Sequence, residues 1–524
     1  MIAIIGSGPA GIASARALLA RGCEVTLLDG GVSLEPARRA LVDRLSRSEP
    51  ADWPGADVAA LREATAAGLG GVLLKSAYGS DYPYQEVDRW TPFENRGTDT
   101  RPTLARGGFS SVWGAAVLPY LAEDLTDWPV SAEELAPHYR AVASFLPLSA
   151  VRDDLADELP LHSSTPRPLR PSAQARALME DLEGARERLR AGGFRFGWSR
   201  LAVQAEADGE RPGCAYCGLC LHGCPYGLIY DSSATLAQIE GSEGFRYQGG
   251  VVVDRLEEGP GGVVIHARSM ASGEALRFQA ERVLVGCGVV STTRLLLASL
   301  GVFERPVEIL DSQYFLLPLL RFRGAGRPRD ENLHTLSQLF VELRDPSVAA
   351  HNVHLQVYGY SQLFQETIDG LLGPLARPAR PVVDAALARL LLVMGYLHSD
   401  VSPRIAATLG RDGRIVLTER RNPQTRPTLR RVGARLGRHA LDMRLLPLWP
   451  LIRVTPAGRG FHSGGSFPMR EHPGDLECDL LGRPTGFSRV HVVDATSFPS
   501  IPSTTITFTV MANAHRIASA VAGL

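Results

Sequence analysis

The chain has 524 residues, of which 45% are hydrophobic and 21% charged, and its formal net charge is −1. That length supports more than one substantial core, and the near-zero charge leaves no global field to favour nucleic acid. No apolar run is long enough to span a bilayer. Seven cysteines occur. Cys23, Cys287 and Cys478 are scattered, which is not the pattern of a disulfide framework. The chain opens directly on a strand and its turn, MIAIIGSG, with no room for a leader, so the expected compartment is the cytoplasm.

Residues 2–5 read as a short apolar strand. GSGPAG then turns into a helix over 11–21, and 24–29 is a second strand. In this turn Gly6 permits the tight bend, Gly8 lets the backbone approach a pyrophosphate and Gly11 lets the helix pack on the strand. Pro9 and Ala10 open a helix whose free N–H groups and positive dipole end suit phosphates. Asp29, followed by Gly30, ends the second strand, where a carboxylate can bind ribose hydroxyls. The pattern alone does not separate FAD from NAD.

Helices are expected over 34–48 and 56–67, with turn-rich sequence at 78–105 and a Gly/Ser-rich stretch at 107–114. Ser131 with Glu134 forms a capping box that opens a helix within 126–142. Residues 150–172 are Pro-rich and expected on the surface, with a helix over 173–191. Strands follow at 250–256, 263–268 and 282–286, then a helix over 291–299. Alternation at 314–322, 335–343 and 352–360, and the turn at 411–414, predict an antiparallel sheet. A helix near 428–441 precedes the closing segment, 455–524. The apolar runs 384–397 and 445–454 read as core helix or packed loop. The alternative is an interfacial surface for a lipid-like substrate or membrane-bound acceptor, and Arg389 argues against burial on all sides.

Cys214, Cys217, Cys220 and Cys224, followed by Pro225, have the C-x2-C-x2-C-x3-C-P spacing of bacterial ferredoxins. An iron–sulfur cluster is the favoured reading. Structural zinc and free or disulfide-paired thiols are the alternatives. There is no second run. Either Cys224 closes a [4Fe–4S] cluster, or a remote residue does (Cys287 being the first to test), or three thiolates hold a [3Fe–4S] cluster.

Four stretches carry a family resemblance: RGGFSSVWG (106–114), RVLVGCGVVSTTRLLLAS (282–299), FHSGGSFPM (461–469) and VHVVDATSFPSIPSTTITFTVMANAHRIASAV (490–521). Together they resemble the glucose–methanol–choline (GMC) oxidoreductases. The resemblance implies an α/β fold, with a Rossmann-type FAD-binding domain interleaved with an α+β substrate domain on an antiparallel sheet. The FAD domain would comprise 1–125, 230–310 and 455–524. Residues 126–229 would form a connecting segment carrying the cysteine loop, 205–231, and 311–454 the substrate domain.

By the same resemblance, Arg106, Gly108, Ser110, Ser111 and Val112 lie beside the isoalloxazine. Asp494, Ala495, Thr505 and Ile506 lie at the closing helix, whose N-terminus faces the flavin pyrimidine. Val112 stands where some members carry a histidine joined to FAD, so FAD is expected to be noncovalent. His462 matches the catalytic histidine. Thr505 stands where the family has a second His or Asn, and a hydroxyl is no base near neutral pH.

The expected function is oxidation of a small-molecule alcohol (a sugar, polyol or lipid-like alcohol) by hydride transfer to flavin N5. Electrons would leave through the cluster to a protein or quinone-like acceptor. The alternatives are an oxygen-using oxidase with structural cysteines or zinc, a reductase fed by the cluster, and a flavin-binding scaffold without activity. Peripheral membrane contact is not favoured.

Overall fold

A computed structural model describes residues 1–63, 74–209 and 211–524. The strand Ile2–Ile5 sits at the centre of a five-stranded parallel sheet. Val25–Leu28 and then Phe245–Gln248 lie on one side of it, and Arg282–Val285 and then Val490–Val492 on the other. Ile2–Ile5 is buried along its whole length, as expected of a strand covered on both faces. The chain leaves it in one direction and returns to its other side, which creates a crevice at the carboxyl ends of the strands. The helices Pro9–Leu19 and Thr507–Val521 pack against each other over this sheet.

An antiparallel sheet stands over the crevice. Its order is Leu445–Pro447, Tyr314–Arg321, Leu390–Tyr396, Val353–Tyr358, Leu339–Leu343 and Phe194–Trp198. The helices Ala173–Glu183 and Thr425–Arg438 bury Leu178, Leu182, Leu429 and Val432 in its core. A further mixed sheet runs Ser463–Gly464, Val307–Asp311, Arg404–Leu409, Ile415–Arg420 and Phe93–Arg96. Its hairpin around 411–414 packs Ile405, Leu409 and Leu417 into the core of the parallel sheet. That hairpin falls in the stretch grouped by sequence with the substrate domain. A three-stranded meander, Val251–Gly259, Gly262–Ser269 and Ala275–Ala280, completes the sheets.

The expected α/β class, with a parallel and an antiparallel sheet, is what the chain adopts. The Ser131–Glu134 capping box is present in both directions. The helix expected over 56–67 is seen as Gly55–Arg62, and 64–67 lie outside the described residues. The run 384–397 corrects its expectation. Only its start is helical, within Arg380–Leu387, and Leu390–Tyr396 is an inner strand of the antiparallel sheet. Leu391 and Val393 alternate inward, and a Cβ at Gly395 would collide with the Phe315 ring. The period is two rather than that of a helix. No helix among the described residues is long and apolar enough to cross a membrane.

Candidate active site

One deep cleft runs from the carboxyl ends of the parallel strands to the underside of the antiparallel sheet. At its floor the backbone of the glycine turn sets the shape. Gly6 has φ +98°, and a Cβ on it would meet the Gly286 carbonyl oxygen at 2.6 Å. A Cβ on Gly11 would collide with the carbonyl oxygen of Gly6. A Cβ on Gly108 would stand 3.2 Å from the Cα of Gly8, so the first turn and the 107–114 loop face each other as bare backbone. Three helices begin at the cleft wall, at Pro9, Val289 and Thr507, each with cleft-lining residues in its first turn. Their free N–H groups make the wall positive without charged side chains.

Asp29 and Asp494 both line the cleft. Asp29 accepts from the Ser7 amide (3.2 Å), the Ser7 hydroxyl (2.7 Å) and the Tyr247 hydroxyl (3.2 Å). Burial raises its pKa, and these bonds oppose the rise. Asp494 accepts from the Gly288 amide (2.9 Å), the Thr292 hydroxyl (2.6 Å) and the Thr496 amide (3.0 Å). It therefore ties the strand–helix turn of 282–299 to the closing segment. Gly30, Pro9, Ala10, Ser110, Val112, Ala495, Thr505 and Ile506 also line the cleft.

Three residues expected at the cofactor have other surroundings. Arg106 pairs with Glu240 at 2.9 Å and covers the Tyr247 ring at 4.8 Å. The Ser111 hydroxyl donates to the Gly108 carbonyl at 2.9 Å. Gly11 lies behind the turn, where it permits helix packing. None of the three is part of the cleft lining.

His462 lies at the far end of the cleft, with its ring stacked on Tyr396 at 4.7 Å and 25°. Its Nδ1 is buried, without a hydrogen-bond partner among the described residues. Asp311 fixes the turn on both sides of it, accepting from the Gly458 amide (2.9 Å) and the Ser463 hydroxyl (2.8 Å). The His462 carbonyl accepts from Ser312 N–H at 3.0 Å. Burial, then the charge of Lys75, presses the imidazole pKa down to about 3, so the ring is neutral throughout the physiological range. Thr505 Oγ1 accepts from the Leu118 amide at 3.1 Å, which fixes its hydroxyl beside the start of the last helix.

Four cleft residues at this end were not found from the sequence: Lys75, Gln356, Tyr358 and Tyr396. The strand ends of the antiparallel sheet supply the last three, and no motif marks them. Lys75 did carry a signal, because it is the single lysine among 55 basic residues.

The cysteine run packs beside the same cleft. Cys217 and Leu219 share a small core with Val112, Tyr78, Tyr82 and Ala105. The Tyr78 hydroxyl donates to the Cys224 carbonyl at 3.1 Å. Just downstream, Asp231 caps its helix through the Ser233 amide at 2.8 Å and lies against the Gly107–Ser110 turn, and the Tyr230 carbonyl accepts from Trp113 Nε1 at 2.7 Å. All four thiols of the run are free of disulfides. Burial raises the pKa of each, and the charges of neighbouring members of the run raise those of Cys214, Cys217 and Cys220 further. Cys287 faces the glycine turn instead, 3.4 Å from the Thr292 hydroxyl, with its Cα 2.8 Å from where a Gly6 Cβ would lie.

Outside the cleft, buried Asp124 and His398 cluster with half-buried His351. The two imidazoles stack at 3.7 Å, and His351 Nε2 meets Asp400 at 3.0 Å. Burial pushes Asp124 from 3.8 up to about 7, and Asp400 raises His351 above 6.5. Both groups hold protons more tightly when folded. The stability tied to Asp124 is full below its unfolded value and falls as pH rises from 3.8 to about 7. That tied to His351 is full below 6.5 and is lost as pH rises through its folded value. We expect the Tm of Asp124→Asn relative to wild type to rise as pH rises from about 4 to 7, in paired thermal melts across pH.

The parallel sheet with its glycine turn, roofed by an antiparallel sheet that carries a histidine and aromatic rings, defines a Rossmann-type α/β fold with an added antiparallel sheet. No protein-family model matches the chain. Among curated proteins it is similar to 6'''-hydroxyparomomycin C oxidase of Streptomyces lividus, at 26% identity over 313 residues. That match covers 57% of this chain and 50% of the relative, so it spans about half the relative's length. Among solved structures it is similar to pyridoxine 4-oxidase from Mesorbium loti, with a TM-score of 0.59 and 16% identity, over 99% of this chain and 98% of that one. At that identity the likeness shows the fold. The resemblance to the GMC oxidoreductases, read from the motifs, is borne out.

Proposed function

We propose that the chain is an FAD-dependent enzyme that oxidises a small-molecule alcohol to a carbonyl, with His462 as the base. The observation that carries this reading is the position of His462. A neutral imidazole, stacked on Tyr396 and clamped through Asp311, lines the same cleft as the glycine turn and three helix N-termini. The residues fit FAD. Bare backbone at Gly6, Gly8 and Gly108 leaves the room a pyrophosphate needs, and the helix starts offer N–H donors to it. Val112 offers no nucleophile for a covalent link. Bound FAD supplies the two-electron acceptor for the hydride leaving the carbinol carbon. His462 takes the hydroxyl proton. The Thr505 hydroxyl orients the substrate oxygen, and the start of the last helix stabilises negative charge beside it.

In this reading Cys214, Cys217, Cys220 and Cys224 would hold an iron–sulfur cluster, which would supply the outlet for electrons. Cys217 packs against Ala105 and Val112 of the loop beside the cleft, and the ferredoxin-like spacing of the run supports a cluster. A cluster there supplies a one-electron outlet to an external acceptor. The second reading is an oxygen-using oxidase, and the names of both similar proteins favour it. Anaerobic purification with iron, sulfide and zinc analysis, followed by electron paramagnetic resonance, separates the two. Iron and acid-labile sulfide with a cluster spectrum, lost in Cys217→Ser/Cys220→Ser, is expected. Protein without iron that releases hydrogen peroxide on mixing with alcohol and air would establish the oxidase reading.

A further inference from the structure

The chain has 54 arginines and one lysine, and the amine of that lysine is in the cleft at the His462 end. Lys75 Nζ lies 3.7 Å from where a Gly114 Cβ would stand, and the Tyr358 hydroxyl lies 3.5 Å from the same point. The Tyr84 hydroxyl donates to the Lys75 carbonyl at 2.9 Å and holds that backbone in place. Among the described residues the Lys75 amine has no hydrogen-bond or ion-pair partner.

The surfaces around this amine are flat and aromatic. Tyr396 stacks on His462, Phe109 packs on Phe461 at 4.8 Å, and Tyr84 packs on Phe109 at 5.9 Å. All of these rings line the cleft. The cleft's carboxylates, Asp29 and Asp494, already accept bonds from Ser7, Tyr247, Thr292 and backbone amides at the glycine-turn end. Neither is among the charges that act on Lys75. The Lys75 side chain is exposed and lines the cleft, so its ammonium is open to a ligand that brings a counter-ion. Arginine carries a fixed charge and a wide planar head, whereas lysine offers a compact point charge. Lys75 is exposed to the cleft, and desolvation by the cleft walls with the nearby charge of Arg459 lowers its pKa without removing its charge near neutrality.

We propose that Lys75 is the anchor for an anionic group on the substrate, and that the substrate is an alcohol carried on a planar ring bearing a carboxylate or phenolate. This rests on the proposed alcohol oxidation, because it places the ring between the aromatic walls and the hydroxyl at His462. The anion on Lys75 then sets the ring's direction, and the site disfavours alcohols that carry a positive charge at that position.

The test uses the FAD-loaded protein with three matched alcohols: para-(hydroxymethyl)benzoate, benzyl alcohol and para-(aminomethyl)benzyl alcohol. The expected order of kcat/KM is anionic, then neutral, then cationic, with the first pair separated at least about tenfold, as for one charge-assisted bond. Lys75→Met brings the first ratio to within about twofold, and Lys75→Arg keeps part of it. Benzoate itself, titrated while the flavin absorbance is followed, gives a binding readout independent of turnover. Its Kd is expected to rise at least about tenfold in Lys75→Met, with Lys75→Gln as the second variant should the first fail to fold. An unchanged ratio in Lys75→Met, or no benzoate binding by a protein that oxidises other alcohols, overturns the anchor and leaves the alcohol-oxidase reading standing. Lys75-dependent benzoate binding with no flavin reduction by any alcohol supports the anchor and refutes the reaction.

Discussion

His462→Ala is expected to lower kcat by about 10²–10⁴-fold, the range over which a positioned general base acts. FAD content and Tm should stay near wild type, because the turn around the ring is held by Asp311 through the Gly458 amide and the Ser463 hydroxyl rather than by the imidazole. The pH profile adds a check. A histidine at its ordinary value would give an acid limb near 6.5. Burial and the Lys75 charge place His462 near 3, so its neutral, base-competent form persists well below pH 6. Activity carried by this residue should show no acid limb between pH 6 and 7. Steady-state rates of the wild type and His462→Ala across that range measure it. A limb at 6.5 that disappears with the imidazole would place the ring in a more solvated setting than the cleft provides.

The second large effect is expected at Gly11. A side chain there meets the carbonyl oxygen of Gly6, and Gly6 is itself held at φ +98° against Gly286. Neither backbone can retreat, because Ile2–Ile5 is hydrogen-bonded in register to strands on both sides. Gly11→Val should therefore abolish FAD retention and lower stability by about 1–3 kcal/mol, the usual cost of overpacking a core. Gly55→Ala, where a Cβ meets nothing within 4 Å, serves as the control and should change neither. The flavin spectrum of the purified variants and their thermal melts report both effects.

Sequence carried the floor of the cleft well and its roof poorly, for a physical reason. A phosphate-binding turn needs glycine at fixed offsets, because backbone must approach backbone. Gly6, Gly8 and Gly11 therefore leave a pattern that can be read in one line of sequence. His462 was legible because its turn is also glycine-rich. The roof is built from ends of antiparallel strands, where the constraint is only that alternate side chains point down. Gln356, Tyr358 and Tyr396 satisfy it without any spacing signature. Leu390–Tyr396 was hidden for a related reason: an inner strand and a buried helix are both continuous apolar runs, and Gly395, which makes room for Phe315, is informative only once its neighbour is known. Arg106 and Ser111 belong to a recognisable loop, yet their side chains are used to brace it, Arg106 on Glu240 and Ser111 on Gly108. Lys75 was visible in the composition as the lone lysine, but composition alone does not locate it beside His462.

The most direct measurement of the central claim is a single anaerobic mixing experiment. FAD-loaded protein is mixed with a panel of aryl, sugar and aliphatic alcohols, and the visible absorbance of the flavin is followed. At least one alcohol should bleach the flavin in the wild type, with carbonyl product formed in equal amount. His462→Ala should bleach more slowly by the factor seen in kcat. Full bleaching in His462→Ala at the wild-type rate, or an oxidised flavin with every alcohol in the panel, would contradict alcohol oxidation at this cleft.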